Sequence, residues 1–160
     1  MSLRWVQIAT RSTCQRMEAD MTRRRSIVVP HIAHRFPVPN ASRIDNLVVS
    51  GSIQGVDPAT GMLPEVLAAQ CDHMLANMKA VIEAAGGTAD DIIKVNVFMR
   101  DRSQREPLNQ AWERMFPDPA SRPARHAQPL TIDGPALVQC DFIAVLAMVD
   151  SHAHLNRRST

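Results

Sequence analysis

Cysteine is scarce in this chain of 160 residues: there are three, Cys14, Cys71 and Cys140, and no two of them form a CxxC pair. An odd set at such spacings argues against a disulfide framework and a cysteine zinc site, and it fits a reducing cytoplasm. Long apolar runs are missing as well. No stretch approaches the ~20 apolar residues of a membrane span, and no compact apolar run near the start reads as a secretory signal, so a soluble protein is expected. An excess of charge of one sign is nearly absent. Lys+Arg 18 against Asp+Glu 16 leaves +2, with the surplus arginines near the ends, which makes no case for a nucleic-acid-binding body. Nothing in the chain has the form of a phosphate-cradling glycine loop. Ser50 has no evident histidine and acid partners, so a nucleophilic hydrolase is unsupported.

What is present suits one compact unit, with 45% hydrophobic residues in a length typical of a single domain. The two ends differ from the body. Arg4, Arg11, Arg16 and Arg23-Arg-Arg25 alternate with Ser, Thr and Gln with little period. Residues 1–25 are therefore expected to be a disordered extension, with a natural start at Met17 or Met21 as a further reading. Glu18 and Asp20 speak against an organelle transit peptide. Residues 26–149 form the domain, and 150–160 a polar tail in which His152 and His154 are incidental.

Within the body, Leu67, Cys71, Met74, Met78, Val81 and Ala85 recur at spacings of four and three. This is the stripe of an amphipathic helix from about Pro64 to Ala85, closed by Gly86-Gly87, with Gln70 and Asn77 largely off the buried face. The methionines read as core filler. Ile93, Val95, Val97 and Met99 alternate with Lys94, Asn96 and Phe98, which is strand period. Leu108 to Phe116 reads as a second, short helix, and an apolar strand closes the domain from near Leu137. The order of elements predicts an α+β fold, a mixed sheet with two helices packed on one face. Phe98, Leu137 and Phe142 are then apolar residues that two helices do not cover, and copies of the same sheet would cover them.

Arg125 stands out in Arg122-Pro-Ala-Arg-His-Ala-Gln-Pro. Pro123 biases the chain toward extended structure, which places Arg125 close to the start of a strand. An arginine held there can grip a planar carboxylate through two parallel hydrogen bonds, or it can form a surface or inter-subunit salt bridge. His31 and His34 are three apart, but Pro37 and Pro39 disfavour a helix there, so surface histidines are expected rather than metal ligands. His126 follows Arg125, and strand alternation turns it to the other face.

Asn46-Leu-Val-Val-Ser-Gly51, the turn Asp57-Pro-Ala-Thr-Gly61, the helix ending at Ala84-Ala-Gly-Gly-Thr88, the junction from Asp90 to Asp101, Leu108 to Phe116, Arg122-Pro-Ala-Arg125 and Cys140 to Val145 form an ordered series. The series resembles the Rid family of reactive intermediate deaminases, also called the YjgF family, over roughly residues 43–148. The resemblance implies a fold like that of the Bacillus chorismate mutase and a homotrimer with clefts at its subunit interfaces. It further implies hydrolysis of enamines and imines of 2-oxo acids, with release of ammonia and without metal or cofactor. The partners implied are small carboxylate-bearing metabolites. Arg125 matches the family's carboxylate-binding arginine, and His126 and Ala127 match the backbone that hydrogen-bonds the substrate. Ser50 and Gly51 match a serine-glycine pair on the cleft wall, and Asn109 an asparagine that serves either packing or the cleft.

Two departures bear on catalysis. Gln139 stands where deaminating members usually carry a glutamate, and a glutamine can orient a water without accepting its proton. Asp141, two residues on and on the same strand face, either takes over through a water or forms an ion pair at the trimer interface. The chain also has no tyrosine, whereas typical members carry one in the segment matching residues 37–42. A noncatalytic 2-oxo acid or metabolite-binding trimer is the first rival reading. Endoribonuclease activity, a description often attached to the family, is the second.

Overall fold

The computed structural model describes residues 23–147 except 33, 35, 132 and 133. Among these residues seven strands form one sheet: β1 (Arg24–Ile27), β2 (Ala41–Ile44), β3 (Leu47–Ser50), β4 (Ile53–Gln54), β5 (Ile92–Met99), β6 (Ala124–Pro129) and β7 (Val138–Val145). Their order is β1-β2-β3-β7-β5-β6, with the short β4 also pairing β7. Only β5 and β6 pair in parallel; all other pairs are antiparallel. The parallel pair needs a crossover, and α2 (Glu106–Met115) supplies it. The longer α1 (Leu67–Ala84) packs against β7, β4 and α2. The expected α+β layering is thus the observed one.

The helix stripe is buried as its spacing requires. Cys71, Met74, Met78 and Val81 are fully enclosed, with Val95, Val97, Met99, Val138, Cys140 and Phe142 across from them. The stop at Gly86-Gly87 is a Schellman closure: Gly87 N donates to Ile82 O and Gly86 N to Glu83 O, with Gly86 at φ 91°. Several expectations need correction. α1 begins at Leu67, three residues after Pro64, because the Pro64 carbonyl is taken by the Gln70 side chain at 2.6 Å. Gln70 and Asn77 are buried rather than off the packed face. Ile93 is 53% exposed, because a register shift between Ile92 and Lys94 turns Ile92 inward and pushes Ile93 out.

Phe142 also faces the helices and is core, not an uncovered residue. The closing strand starts at Val138, one residue past Leu137. The apolar residues left open on the other sheet face are Leu47, Val49 and Val145, each 41–44% exposed. Leu47 pairs with Val145 and Val49 with Ile143, so they form a contiguous block. At the domain's start, β1 begins at Arg24, two residues inside the expected extension. The rest of that extension and the 150–160 tail lie outside the described residues. No helix among those described is long and apolar enough to cross a membrane.

Candidate functional site

Arg125 is the second residue of β6, an edge strand, where parallel register sets it opposite Val95. Cross-strand partners share a sheet face, and Val95 is buried beneath the helices, so Arg125 points into the helix layer. There it meets α2. Its Nη2 donates to Asn109 Oδ1 at 2.7 Å, and its Cζ lies 4.9 Å from the centroid of the Trp112 ring. Asn109 and Trp112 are three apart on α2 and therefore present one face to the guanidinium. Trp112 is fixed in turn by Phe116, with ring centroids 4.6 Å apart.

This cradle positions Arg125 without neutralising it. Nη1 is buried and has no hydrogen-bond partner, and no carboxylate pairs with Arg125 among the described residues. Burial lowers its pKa, and the charges of Arg105 and Arg122 act in the same direction. Arginine keeps its proton regardless, so the guanidinium carries a charge that no carboxylate among the described residues pairs. A recess of about 460 Å³ opens beside it, lined by Asn109, Trp112, Pro123 and Arg122 among others. Glu106 and Glu113 line it as well, and Glu113 lies 4.0 Å from Arg122 Nη1.

The other candidate residues lie elsewhere on the sheet. Ser50 Oγ accepts from Phe142 N at 2.8 Å, and Gly51 N donates to Asn40 O at 2.8 Å. Phe142 pairs with Val95 and Val95 with Arg125. Ser50 and Arg125 are therefore separated by three strand spacings, about 14 Å. Gln139 pairs with Gln54 on one side and Phe98 on the other, on the open face. Asp141 shares that face, and its Oδ1 accepts from Asn96 Nδ2 at 2.7 Å. His126 pairs with Asn96 and so joins this row, turned away from Arg125 as alternation requires. Ala127 pairs with Val97 on the helix side. The single chain thus brings together Arg125 and Asn109, and separately His126, Asn96 and Asp141. It does not bring Arg125 to Ser50, Gly51 or Gln139.

Two features escaped the reading of the sequence. Trp112 carried a usable signal, its spacing from Asn109. The second is a recess of about 510 Å³ between the segment after β1 and the β3–β4 region, lined in part by His31, His34, Phe36, Asn40, Ser52 and Gln54. His31 sits in a single 3-10 turn, Pro30–Ile32. Asn40 holds that turn, since its Oδ1 accepts from Val29 N at 2.8 Å and its Nδ2 donates to Ile32 O at 2.9 Å. Among the described residues no group of three or more His, Cys, Asp or Glu is placed to hold a metal ion.

A mixed sheet with two helices on one face is the architecture of solved structures of known type. RidA from the Antarctic bacterium Psychrobacter sp. superposes with a TM-score of 0.69 at 29% identity, covering 76% of this chain and 100% of that one. The fold is of the chorismate mutase-like α+β class. Residues 32–144 match the family model described as Endoribonuclease L-PSP, and the chain belongs to that family, the Rid or YjgF family. A RutC family protein of Haemophilus influenzae is 41% identical over 80 residues, which are 50% of this chain and 62% of that protein. The 2-iminobutanoate/2-iminopropanoate deaminase of Escherichia coli K12 is 36% identical over 83 residues, 51% of this chain and 65% of that enzyme. The chain thus spans less than two thirds of either curated relative's length.

Proposed function

We propose that the chain hydrolyses short-lived enamines and imines of 2-oxo acids to the 2-oxo acid and ammonia, at clefts between the subunits of a homotrimer. The observation that carries this reading is Arg125: a guanidinium aimed by Asn109 and Trp112, buried at Nη1, with no partner for that nitrogen. A carboxylate seated in the adjoining recess is the counter-ion such a guanidinium takes. The reaction asks for little else, namely a water placed against the imine carbon and a proton for the departing ammonia. A small 2-oxo acid cannot bridge the roughly 14 Å from Arg125 to Ser50 across the strands of one subunit. In the trimer we propose, Arg125 of one copy faces Ser50 and Gly51 of the next. Cys71 and Cys140 are buried free thiols, which suits a reducing cytoplasm.

A second reading has its own support. Gln139 is neutral, and Asp141 is engaged by Asn96, so neither is a free carboxylate base. The same cleft would then bind a 2-oxo acid without turning over its imine. Iminopropionate generated freshly by a serine dehydratase separates the two. As a deaminase, the chain raises the rate of pyruvate and ammonia formation well above spontaneous hydrolysis. A folded chain that binds pyruvate yet leaves the spontaneous rate unchanged is the binding module instead.

A further inference from the structure

The recess of about 510 Å³ holds two histidines and, among its described lining residues, no carboxylate. Histidine is the side chain suited to exchange protons near neutrality. The two differ in placement. His31 is exposed, whereas His34 is half-buried and its Nε2 lies 3.8 Å from where a Cβ on Gly51 would stand. Gly51 is the end of the wall on which the proposed substrate lies, and His34 is the side chain within van der Waals reach of it. The remaining polar groups are poorly suited to proton transfer. Both ends of the Asn40 amide are spent on backbone, Gln54 is an amide, and Ser52 is an unactivated hydroxyl. Asn40 also anchors the turn that ends at Ile32, two residues before His34.

We propose that His34 is the proton-transfer residue of this chain, the acid–base group acting on the imine beside Gly51. This rests on the deaminase reading above. Neutral His34 takes a proton from a water as its oxygen bonds to the imine carbon, and the C=N π pair moves to nitrogen. The protonated imidazole returns that proton to nitrogen, which gives the carbinolamine with its C–NH2 group. Neutral His34 then takes the carbinol O–H proton and delivers it to the amine nitrogen, so that the C=O forms as the C–N bond breaks and NH3 leaves. Water plus imine become 2-oxo acid plus ammonia, with His34 restored.

The test is His34→Ala in the full chain, assayed with dehydratase-generated iminopropionate, alongside its mass by light scattering and its affinity for pyruvate by calorimetry. The expected result is a fall in kcat of about a hundredfold with mass and pyruvate affinity kept, and partial recovery on adding imidazole to the variant but not to the parent. An unchanged kcat overturns the role of His34 and leaves the deaminase reading standing. A loss that imidazole does not restore makes His34 a positioning residue, and a loss of affinity or mass makes it structural; either overturns the proton role. A parent no faster than spontaneous hydrolysis overturns both readings together.

Discussion

At the scale of single residues, Arg125 was legible because proline restricts its neighbours and so announces a strand start. Its surroundings were not. Which face it uses depends on parallel pairing with β5, a contact no local pattern reveals, and the Trp112 ring came with that pairing. The geometry makes a sharp prediction. Arg125→Lys keeps the charge but loses the fork and the flat contact with Trp112. Loss of charge-assisted hydrogen bonds costs about 1.5 to 3 kcal/mol, so pyruvate or 2-oxobutyrate affinity should fall roughly tenfold to hundredfold by calorimetry. Unchanged affinity in a folded protein would remove Arg125 from the site. The thiols give a second prediction. Burial, then the charge of Asp72, raises the Cys71 pKa from 9.0 to about 11. The folded state therefore holds that proton more tightly than the unfolded chain. This contribution to stability is present in full below pH 9.0 and is lost as pH rises to about 11. Denaturant midpoints of Cys71→Ala should fall less steeply over that window than those of the parent.

At the scale of elements, the stripe on α1 and the alternation on β5 were readable, because 3.6- and 2-residue periods survive in the order of residues. What polarity hid was the work of Gln70 and Asn77. Gln70 donates to Pro64 O and Pro135 O and accepts from Leu137 N; Asn77 donates to Gln54 O and Val56 O. These side chains replace strand partners for the loops around β4 and β7. A hydropathy stripe scores both as exposed, since it cannot see that their hydrogen bonds are met inside. The bulge at Ile93 was hidden for a similar reason: it is a relation between two strands. Gln70→Leu should destabilise the fold by about 2 kcal/mol or more, since it leaves the Leu137 N–H and two carbonyls unmet. Gly55→Ala should cost about 2 to 3 kcal/mol, because a Cβ there runs into the Gln70 carbonyl and lies 2.7 Å from its Cα. Both are read from urea midpoints, and a shift under 0.5 kcal/mol, about the scatter of neutral surface changes, would contradict the close approach of β4 to α1.

At the scale of the whole molecule, the two sheet faces are unequal. The helices enclose one, while Leu47, Val49 and Val145 remain substantially exposed on the other, beside half-buried Ile143 and Phe98. The sequence pointed to an uncovered face but named Phe142, which the register turns inward; alternation alone does not say which parity meets the helices. The corrected block is what a second and third copy would cover. Subunit contact and ligand site are then one question, since Ser50 and Arg125 stand too far apart in a single chain to share a small acid. Light scattering should give about three times the 17.7 kDa chain mass. Deleting residues 1–22 should leave that mass ratio intact, for that stretch has no core-forming pattern. Val49→Glu puts a charge in the middle of the apolar block, where desolvation without a partner costs several kcal/mol. It should dissociate the assembly at micromolar concentration while far-UV circular dichroism stays unchanged, because Val49 is not part of the single-chain core. Pyruvate affinity should fall with it, although Arg125, Asn109 and Trp112 are untouched. If the Val49→Glu chain is monomeric and still binds pyruvate as the parent does, the site lies within one subunit and the shared cleft is wrong.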